Sequence, residues 1–439
     1  MRTGSLILLG ALLLATPLTG CKPAPKKAPL APTTPPPAAA PTGAIKFGFN
    51  LEETGGQATF GASAHRGAEL AVDEINKAGG VLGQQITPVW DDNGSMAGQA
   101  ATVAAKQINQ DRVAVIIGAL TSSNTIAIAK IAEESKVPMV SPAATNPAVT
   151  VSDDGVVRQY VFRACFTDDF QGEGIVNFAV NGPIKAKNAV IFYDADSDYS
   201  KGIWETVKRV APGLGLSIVA EDSYLASSET DFRTKLNKFK GRKFDVLIVP
   251  GYYNQVALIA NQARELGLTQ PLLGGDGFDS PDLWKVAGKN IEGSYFTNHY
   301  SADDQDPAVQ DFIRKYKERF GGQVPDAMAI LSYDATRLAA DAITRAGSTE
   351  PGAVAMALSE TKAFTGASGK ITINAQHNAM KKLVVLDVGE GGKFTWVFTF
   401  EPEGTAPGAT PEPEAANPPS AGETAPGGSP KGAAPPTGG

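Results

Sequence analysis

Between residues 44 and 400, short apolar runs rich in β-branched residues alternate with stretches of helical periodicity. The predicted strands are 45–50, 86–91, 113–118, 138–141, 188–193, 217–221, 246–250 and 272–274. The predicted helices are 62–78, 124–135, 200–210, 231–239 and 255–266, with a further helix between the strands 86–91 and 113–118. Continuous apolar strands separated by helices are typical of parallel sheets covered on both faces, so we predict an α/β fold. In such sheets ligands bind beyond the carboxyl ends of the strands.

The composition narrows the class of protein. The chain has 439 residues, of which 42% are hydrophobic, enough for two lobes of ordinary size. A net charge of -7 disfavours a nucleic-acid partner. The 2 cysteines, Cys21 and Cys165, and the 3 histidines show no metal-binding spacing, so we expect neither a metal nor a cofactor. Cys165 is expected to be a small buried apolar residue rather than a nucleophile.

Both ends of the chain lie outside the alternating pattern. Arg2 precedes a short apolar run, which predicts a secretory signal over residues 1–20. The signal ends in Leu-Thr-Gly-Cys, which resembles a bacterial lipobox and implies that Cys21 is lipidated; the alternative is an ordinary signal peptide. Residues 21–43 form a Pro/Ala-rich linker, and the Pro/Gly-rich tail 401–439 is predicted to be disordered.

Two predicted strands of the first half end in small hydroxyl residues. Gly-Ala-Leu-Thr-Ser-Ser, residues 118–123, follows one strand and opens a helix. The sequence 141–147, Ser-Pro-Ala-Ala-Thr-Asn-Pro, follows the next strand. Hydroxyl donors beside a helix N-terminus make an anion site, although simple helix capping explains either loop alone. Because both loops carry the same chemistry, one carboxylate could accept hydrogen bonds from both.

Different side chains follow the strands of the second half. Asp276 stands between glycines after one strand, where it either meets a cation or forms a turn with its own backbone. Tyr199 and Tyr252 follow two other strands, either as pocket walls or as ordinary packing residues.

The order and spacing of several segments resemble one family of proteins. The segments are TFGASAHRGAELAVDEINKAGGVLG, GALTSSNTIA, VSPAATNP, VFRACFTDDFQG, DYSKG, GYYNQVALIANQARELGL, GGDGFDSPDL, PDAMAILSYDA and TGASGKITIN. They are similar to the Leu/Ile/Val-binding type of periplasmic binding protein, the ligand-capturing component of ABC importers. The resemblance implies a type I fold of two lobes with three crossovers, near Arg163, Ile291 and Asn374. The first lobe would then hold residues 44–163 and 292–374, and the second lobe 164–291 and 375–400.

The resemblance also implies how the ligand's charged groups are held. Ser122 and Thr145 match the residues that hold the α-carboxylate, while Leu120 and Ala143 match positions that contribute backbone contacts. Asp276 matches the acidic residue that receives the α-ammonium group. Leucine-binding members have Glu there, so the shorter Asp could shift this contact or place a water in it.

The walls of the implied cleft come from aromatic residues. Tyr199 and Tyr252 match second-lobe residues that close on the ligand, and Phe60 matches an aromatic over the side-chain pocket. The first loop departs from the family pattern, since it has Glu52 and Glu53 where many relatives are uncharged. These two residues either meet a polar or cationic ligand side chain or face solvent at the rim of the cleft.

Together these features predict an extracytoplasmic, lipid-anchored, monomeric solute-binding protein. Its ligand would be an amino acid of neutral or branched-chain type, and its partner an ABC permease in the cytoplasmic membrane. We do not expect an enzyme, because no G-x-S-x-G, H-E-x-x-H or G-x-G-x-x-G motif follows a strand. Two alternatives stay open: a sensing or interaction lipoprotein of the same fold, and a binder of amides or urea.

Overall fold

The computed structural model describes residues 43–402. The predicted signal peptide, Cys21, the linker up to residue 42 and the tail from residue 403 lie outside the described residues. None of the helices within 43–402 has the length and apolar character needed to cross a membrane.

The strands form two large sheets and one small sheet. The first sheet has the order β2-β1-β3-β4-β5, and all of its strands are parallel. Its strands are β1 Ile45–Leu51, β2 Ile86–Asp92, β3 Val115–Gly118, β4 Met139–Ser141 and β5 Val161–Arg163. The second sheet has the order β15-β14-β10-β9-β8-β6-β7. Its strands are β6 Asn188–Asp194, β7 Ser217–Tyr224, β8 Val246–Ile248, β9 Leu272–Gly274, β10 Tyr295–Asn298, β14 Leu383–Val388 and β15 Phe394–Phe400.

Helices cover both faces of each large sheet. They are α1 Ala58–Lys77, α2 Ala97–Lys106, α3 Ser122–Ser135, α4 Asp168–Asn181, α5 Asp198–Val210, α6 Arg233–Leu236, α7 Tyr253–Glu265, α8 Pro281–Ala287, α9 Pro307–Arg319, α10 Ala327–Ala346 and α11 Pro351–Ser359. On the first sheet α1 and α10 share one face, and α2 and α3 the other. Gly67 allows the close approach of α1 to α10, because a Cβ there would lie 1.9 Å from the carbonyl oxygen of Ala329.

The alternating pattern is confirmed, but one predicted helix and the strand directions of the second sheet differ from the prediction. The predicted helix 231–239 is the short α6 followed by a 3-10 turn, Asn237–Phe239. The second sheet is mixed rather than wholly parallel, because β14 runs antiparallel to both β10 and β15. The connection from β14 to β15 spans only residues 389–393, and so short a connection joins antiparallel strands.

Two of the crossings between the sheets lie later in the chain than the sequence implied. Strand β10 pairs with β9 and β14, so the chain leaves the second sheet after Asn298 rather than near Ile291. Residues beyond Asn374 still belong to the small sheet, which consists of β11 Phe364–Gly366, β12 Gly369–Ile373 and β13 Ala379–Met380. The chain therefore re-enters the second sheet only at Leu383. Below, "first lobe" and "second lobe" mean each large sheet with the helices packed on it.

Candidate functional site

One small cavity lies where the strand ends of the two sheets meet. It is lined by Phe60, Leu120, Ser122, Ala143 and Met328 from the first lobe and by Tyr199, Tyr252, Asp276 and Gly277 from the second. Of the predicted ligand-binding residues, all but Thr145 line this cavity, and Met328 and Gly277 join them. The structure thus brings together side chains that lie far apart in the sequence.

The first-lobe side of the cavity is built from the loops after β3 and β4. Ser122 is the first residue of α3, and its Oγ accepts a hydrogen bond from the Asn146 N–H at 3.3 Å, which ties the two loops together. Thr145 is fully buried between them, and its Oγ1 has no hydrogen-bond partner within residues 43–402. The N–H groups of the first turn of α3 lack intrahelical acceptors, so this edge of the cavity is rich in donors.

Glu52 does not face solvent at the rim, contrary to one of the two alternatives. Its side chain is fully buried and points at the start of α3. It accepts hydrogen bonds from the Leu120 N–H at 3.1 Å and from the Thr121 N–H and hydroxyl at 3.0 and 2.8 Å. The Asn124 amide donates a further bond at 3.0 Å. Burial raises the pKa of Glu52, and these donors oppose the rise.

This arrangement limits which Leu120 atoms can contact a ligand. The backbone N–H of Leu120 already bonds to Glu52, so Leu120 can offer a ligand only its other atoms. Glu53 is different, since it is partly exposed and its Oε1 lies 2.5 Å from His65 Nδ1. Neither glutamate lines the cavity.

The second-lobe side of the cavity centres on Asp276. Its carboxylate is 3% exposed and accepts hydrogen bonds from Gln171 Nε2 at 3.0 Å and His299 Nε2 at 2.9 Å. The partners of the Asp276 side chain are thus other side chains and not its own turn. Gly275 is needed beside it, because a Cβ there would lie 1.9 Å from Gln171 Oε1.

Aromatic rings close the cavity from both lobes. Tyr199 and Tyr252 stack with their centroids 5.0 Å apart, and Phe60 meets Tyr252 edge-on at 6.0 Å. The Tyr199 hydroxyl accepts a hydrogen bond from the Gly277 N–H at 2.9 Å, which fixes the ring against the Asp276 turn. These contacts favour the pocket-wall role that the sequence left open for both tyrosines.

Three buried polar residues near the cavity were missed by the sequence analysis. Gln171 and His299 hold Asp276, and Asp168 lies beside Thr145 with both carboxylate oxygens buried and without a hydrogen bond of normal geometry. Burial raises the pKa of Asp168 well above its usual value. The segment Thr-Asp-Asp-Phe-Gln-Gly, which carries Asp168 and Gln171, was visible in the sequence, whereas His299 follows a strand that was not predicted.

Direct contacts also join the lobes around the cavity. Ser123 Oγ donates to Asp198 Oδ2 at 2.9 Å, and the Asn146 amide donates to the Asp198 carbonyl at 2.7 Å. On another part of the interface, Thr59 Oγ1 donates to Asp282 Oδ2 at 2.7 Å. The lobes therefore adopt a closed arrangement in which the cavity has little opening to solvent.

Cys165 has the environment that the sequence predicted. It is fully buried, and burial raises the pKa of its thiol to about 12. Within the described part of the chain, no group of three or more His, Cys, Asp or Glu side chains is arranged to hold a metal ion.

Comparison with known proteins places this geometry in a family. The sequence profile of the periplasmic binding proteins matches residues 44–393, which is nearly all of the described chain. The chain belongs to the periplasmic binding protein family. A Leu/Ile/Val-binding protein homologue of Brucella melitensis is 31% identical to this periplasmic binding protein over 330 residues, 75% of this chain and 86% of the relative.

Solved structures agree with the sequence comparison. The leucine-binding protein LivK of Thermotoga maritima superimposes with a TM-score of 0.77 and 36% identity, covering 82% of this chain and 99% of that one. LivJ of Streptococcus pneumoniae, a branched-chain amino acid transporter substrate-binding protein in complex with isoleucine, gives a TM-score of 0.76 and 35% identity. This superposition covers 82% of the present chain and 100% of LivJ. This periplasmic binding protein therefore has the type I fold and a solute-binding role.

Proposed function

We propose that this protein captures a neutral amino acid, of branched-chain type, in the cavity between its lobes and delivers it to an ABC importer. The observation that carries the proposal is that Ser122 and Asp276 line one small cavity from opposite lobes. An amino acid is a zwitterion, so it needs donors at one end and an anion at the other. The first lobe offers hydroxyl and helix N–H donors, and the second lobe offers a carboxylate.

The lining of the cavity supports an apolar ligand side chain. Phe60, Leu120 and Met328 supply apolar wall on one side, and the stacked tyrosines supply it on the other. Glu52 is already bonded to the start of α3, so the loop does not offer it to a cationic side chain. The names of the relatives described above, which refer to leucine, to branched-chain amino acids or to Leu/Ile/Val, agree with this choice.

Closure of the lobes gives the binding mechanism. In the open state each lobe meets one end of the zwitterion, and the other end stays in water. Closure removes water from both ends, so the charge-assisted hydrogen bonds to Ser122, Thr145 and Asp276 strengthen. The ligand then shifts the open–closed equilibrium by its higher affinity for the closed state. The closed form is the form that an importer would distinguish from the empty protein.

The position of the protein outside the cytoplasm is proposed from its N-terminal sequence. The lipobox-like Leu-Thr-Gly-Cys supports lipidation of Cys21, and the Pro/Ala-rich linker would hold the folded part away from a membrane. An extended linker spans about 3.1 Å per residue, so residues 22–42 would reach several nanometres.

A thermal-shift panel on the purified protein, stripped of bound ligand, tests the proposed function. We expect leucine, isoleucine and valine to raise the melting temperature, and glutamate, lysine and urea to leave it unchanged. A ligand at about 100 times its Kd stabilises the folded state by about 2.7 kcal/mol, which is a readily measured shift. If no amino acid shifts the melting temperature, the proposal is wrong. A shift by urea or amides alone would favour the binder of those solutes instead.

A further inference from the structure

Two neutral donors hold the Asp276 carboxylate from both sides. Gln171 Nε2 donates to Oδ1 at 3.0 Å, and His299 Nε2 lies 2.9 Å from Oδ2. All three side chains are buried, and Gln171 and His299 are both 0% exposed. One donor on each oxygen fixes the rotation of the carboxylate group. The Asp276 side chain is therefore oriented before any ligand arrives.

The surroundings of His299 determine its protonation. A carboxylate has no proton to give, so the ring nitrogen that faces Asp276, Nε2, must carry the hydrogen. The other nitrogen, Nδ1, is buried and has no hydrogen-bond partner in the described chain. Burial lowers the pKa of His299, which favours the neutral ring. A neutral His299 leaves the full negative charge of Asp276 available to a ligand cation.

The two donors come from the segments at which the chain passes between the lobes. His299 follows β10 directly, at the second crossing, and Gln171 lies on α4, just after the first. The His299 ring stacks on Phe166 of the first crossing, with the centroids 3.8 Å apart and the planes at 21°. These contacts hold the His299 ring in place where the chain passes between the lobes.

We propose that His299, with Gln171 on the other side of the carboxylate, is a positioning residue. It orients the Asp276 carboxylate, with its full negative charge, toward the α-ammonium group of the ligand. It makes the site selective for solutes that carry this group over carboxylic acids of the same shape. The role rests on the proposed function, because it requires that Asp276 receives an ammonium group.

Calorimetry with two ligands of matched shape distinguishes a loss of Asp276 positioning from a general disruption of the cavity. Leucine carries the ammonium group, and 4-methylpentanoate is the same molecule without it. His299→Phe keeps the ring that stacks on Phe166 but removes the donor. Since a hydrogen bond to a charged group is lost, we expect leucine affinity to fall roughly 10- to 100-fold. The affinity for 4-methylpentanoate should change by less than about 3-fold, because that ligand makes no use of the Asp276 charge.

Two further variants serve as controls. His299→Gln restores an N–H donor and should recover most of the leucine affinity. His377→Phe makes the same chemical change at another stacked histidine, whose ring lies 4.1 Å from Phe162, and should leave both affinities unchanged. Equal losses for the two ligands in His299→Phe, or no loss for leucine, would overturn the positioning role.

A measurement on the ligand-free protein keeps the inference testable even if no amino acid binds. Nitrogen NMR of histidine-labelled protein should show His299 with a protonated Nε2 and a bare Nδ1 between about pH 6 and pH 8. The charged groups acting on the ring are Asp276 and Lys381, and the Lys381 charge also disfavours the imidazolium. Asp276→Asn should move the Nε2 signal. An Nδ1-protonated ring, or a fully protonated one, would contradict the inference whatever the ligand is.

Discussion

Glu52 is the residue on which the geometry at the start of α3 depends. Four donors surround its carboxylate: the N–H groups of Leu120 and Thr121, the Thr121 hydroxyl and the Asn124 amide. A carboxylate at a helix N-terminus also interacts favourably with the helix dipole. Glu52 therefore holds the loop that presents Ser122 to the cavity, although Glu52 itself does not line the cavity.

We predict that Glu52→Gln destabilises the fold by about 1.5–3 kcal/mol. The substituted amide places an N–H₂ group against donors that need an acceptor. Glu53→Gln is the matched control, since Glu53 is partly exposed and pairs with His65. It should cost less than about 1 kcal/mol. Urea unfolding of both variants measures the difference. Equal losses would show that the buried carboxylate has no special part in the fold.

Some residues around the cavity could be predicted from the sequence, and others could not. Ser122, Asp276 and the tyrosines could be predicted because they directly follow strands, and strand ends meet at one edge of a parallel sheet. The burial of Glu52 could not be predicted, since it depends on how closely the loop after β1 approaches α3. The same holds for Gln171 and His299, which reach Asp276 from distant parts of the chain.

At the scale of elements, the turn after β9 carries the buried Asp279, and the start of α10 carries the half-buried Asp326. Asp279 accepts hydrogen bonds from the Asn298 amide at 2.9 Å and the Ala327 N–H at 2.7 Å. Asp326 caps α10 and accepts from the Ser63 hydroxyl at 2.6 Å. Burial, and next the charge of Asp326, raise the pKa of Asp279 to about 7. This pair joins the second-lobe turn to a first-lobe helix.

The raised pKa predicts how stability depends on pH. Between the usual value of 3.8 and about 7, the folded protein holds a proton on Asp279 that the unfolded chain has lost. Stability from this group is therefore complete at low pH and falls as pH rises through that window. Asp279→Asn mimics the protonated acid and does not titrate. The free energy of unfolding of this variant, minus that of the wild type, should therefore increase by about 2 kcal/mol from about pH 5 to pH 8.

Urea unfolding at several pH values checks this prediction. Asp153→Asn is the control, because Asp153 is an exposed loop residue and its removal should leave the pH profile of the wild type unchanged. If Asp279→Asn and the wild type show parallel profiles, Asp279 does not hold a proton in the folded state near neutral pH.

At the level of elements, the sequence was sufficient for most of the fold. Buried parallel strands have a strong signal, because both of their faces are apolar and each is followed by a helix. Strands β10, β14 and β15 were not predicted. Because they belong to the second sheet, two of the crossings lie later in the chain than predicted. Their membership depends on pairing with partners distant in the sequence, for example β10 with β14, which a local pattern does not reveal.

For the whole molecule, the central feature is that both lobes contribute to the lining of one cavity, which we propose as the ligand site. Ser122 and the buried Thr145 hydroxyl belong to the first lobe, and Asp276 belongs to the second. Interlobe bonds such as Ser123 to Asp198 join the lobes without contributing to the cavity lining. They stabilise closure, and we attribute selectivity to the cavity residues and to the side chains that hold Asp276.

The most direct test of this account is calorimetry of wild type, Asp276→Asn and Asp153→Asn with the branched-chain amino acid that binds best. Asp276→Asn removes the charge that we propose to meet the ligand's ammonium group, so binding should weaken by roughly 2–5 kcal/mol. Asp153→Asn makes the same chemical change at the surface and should bind like the wild type. An unchanged affinity in Asp276→Asn would contradict the proposed two-lobed zwitterion site.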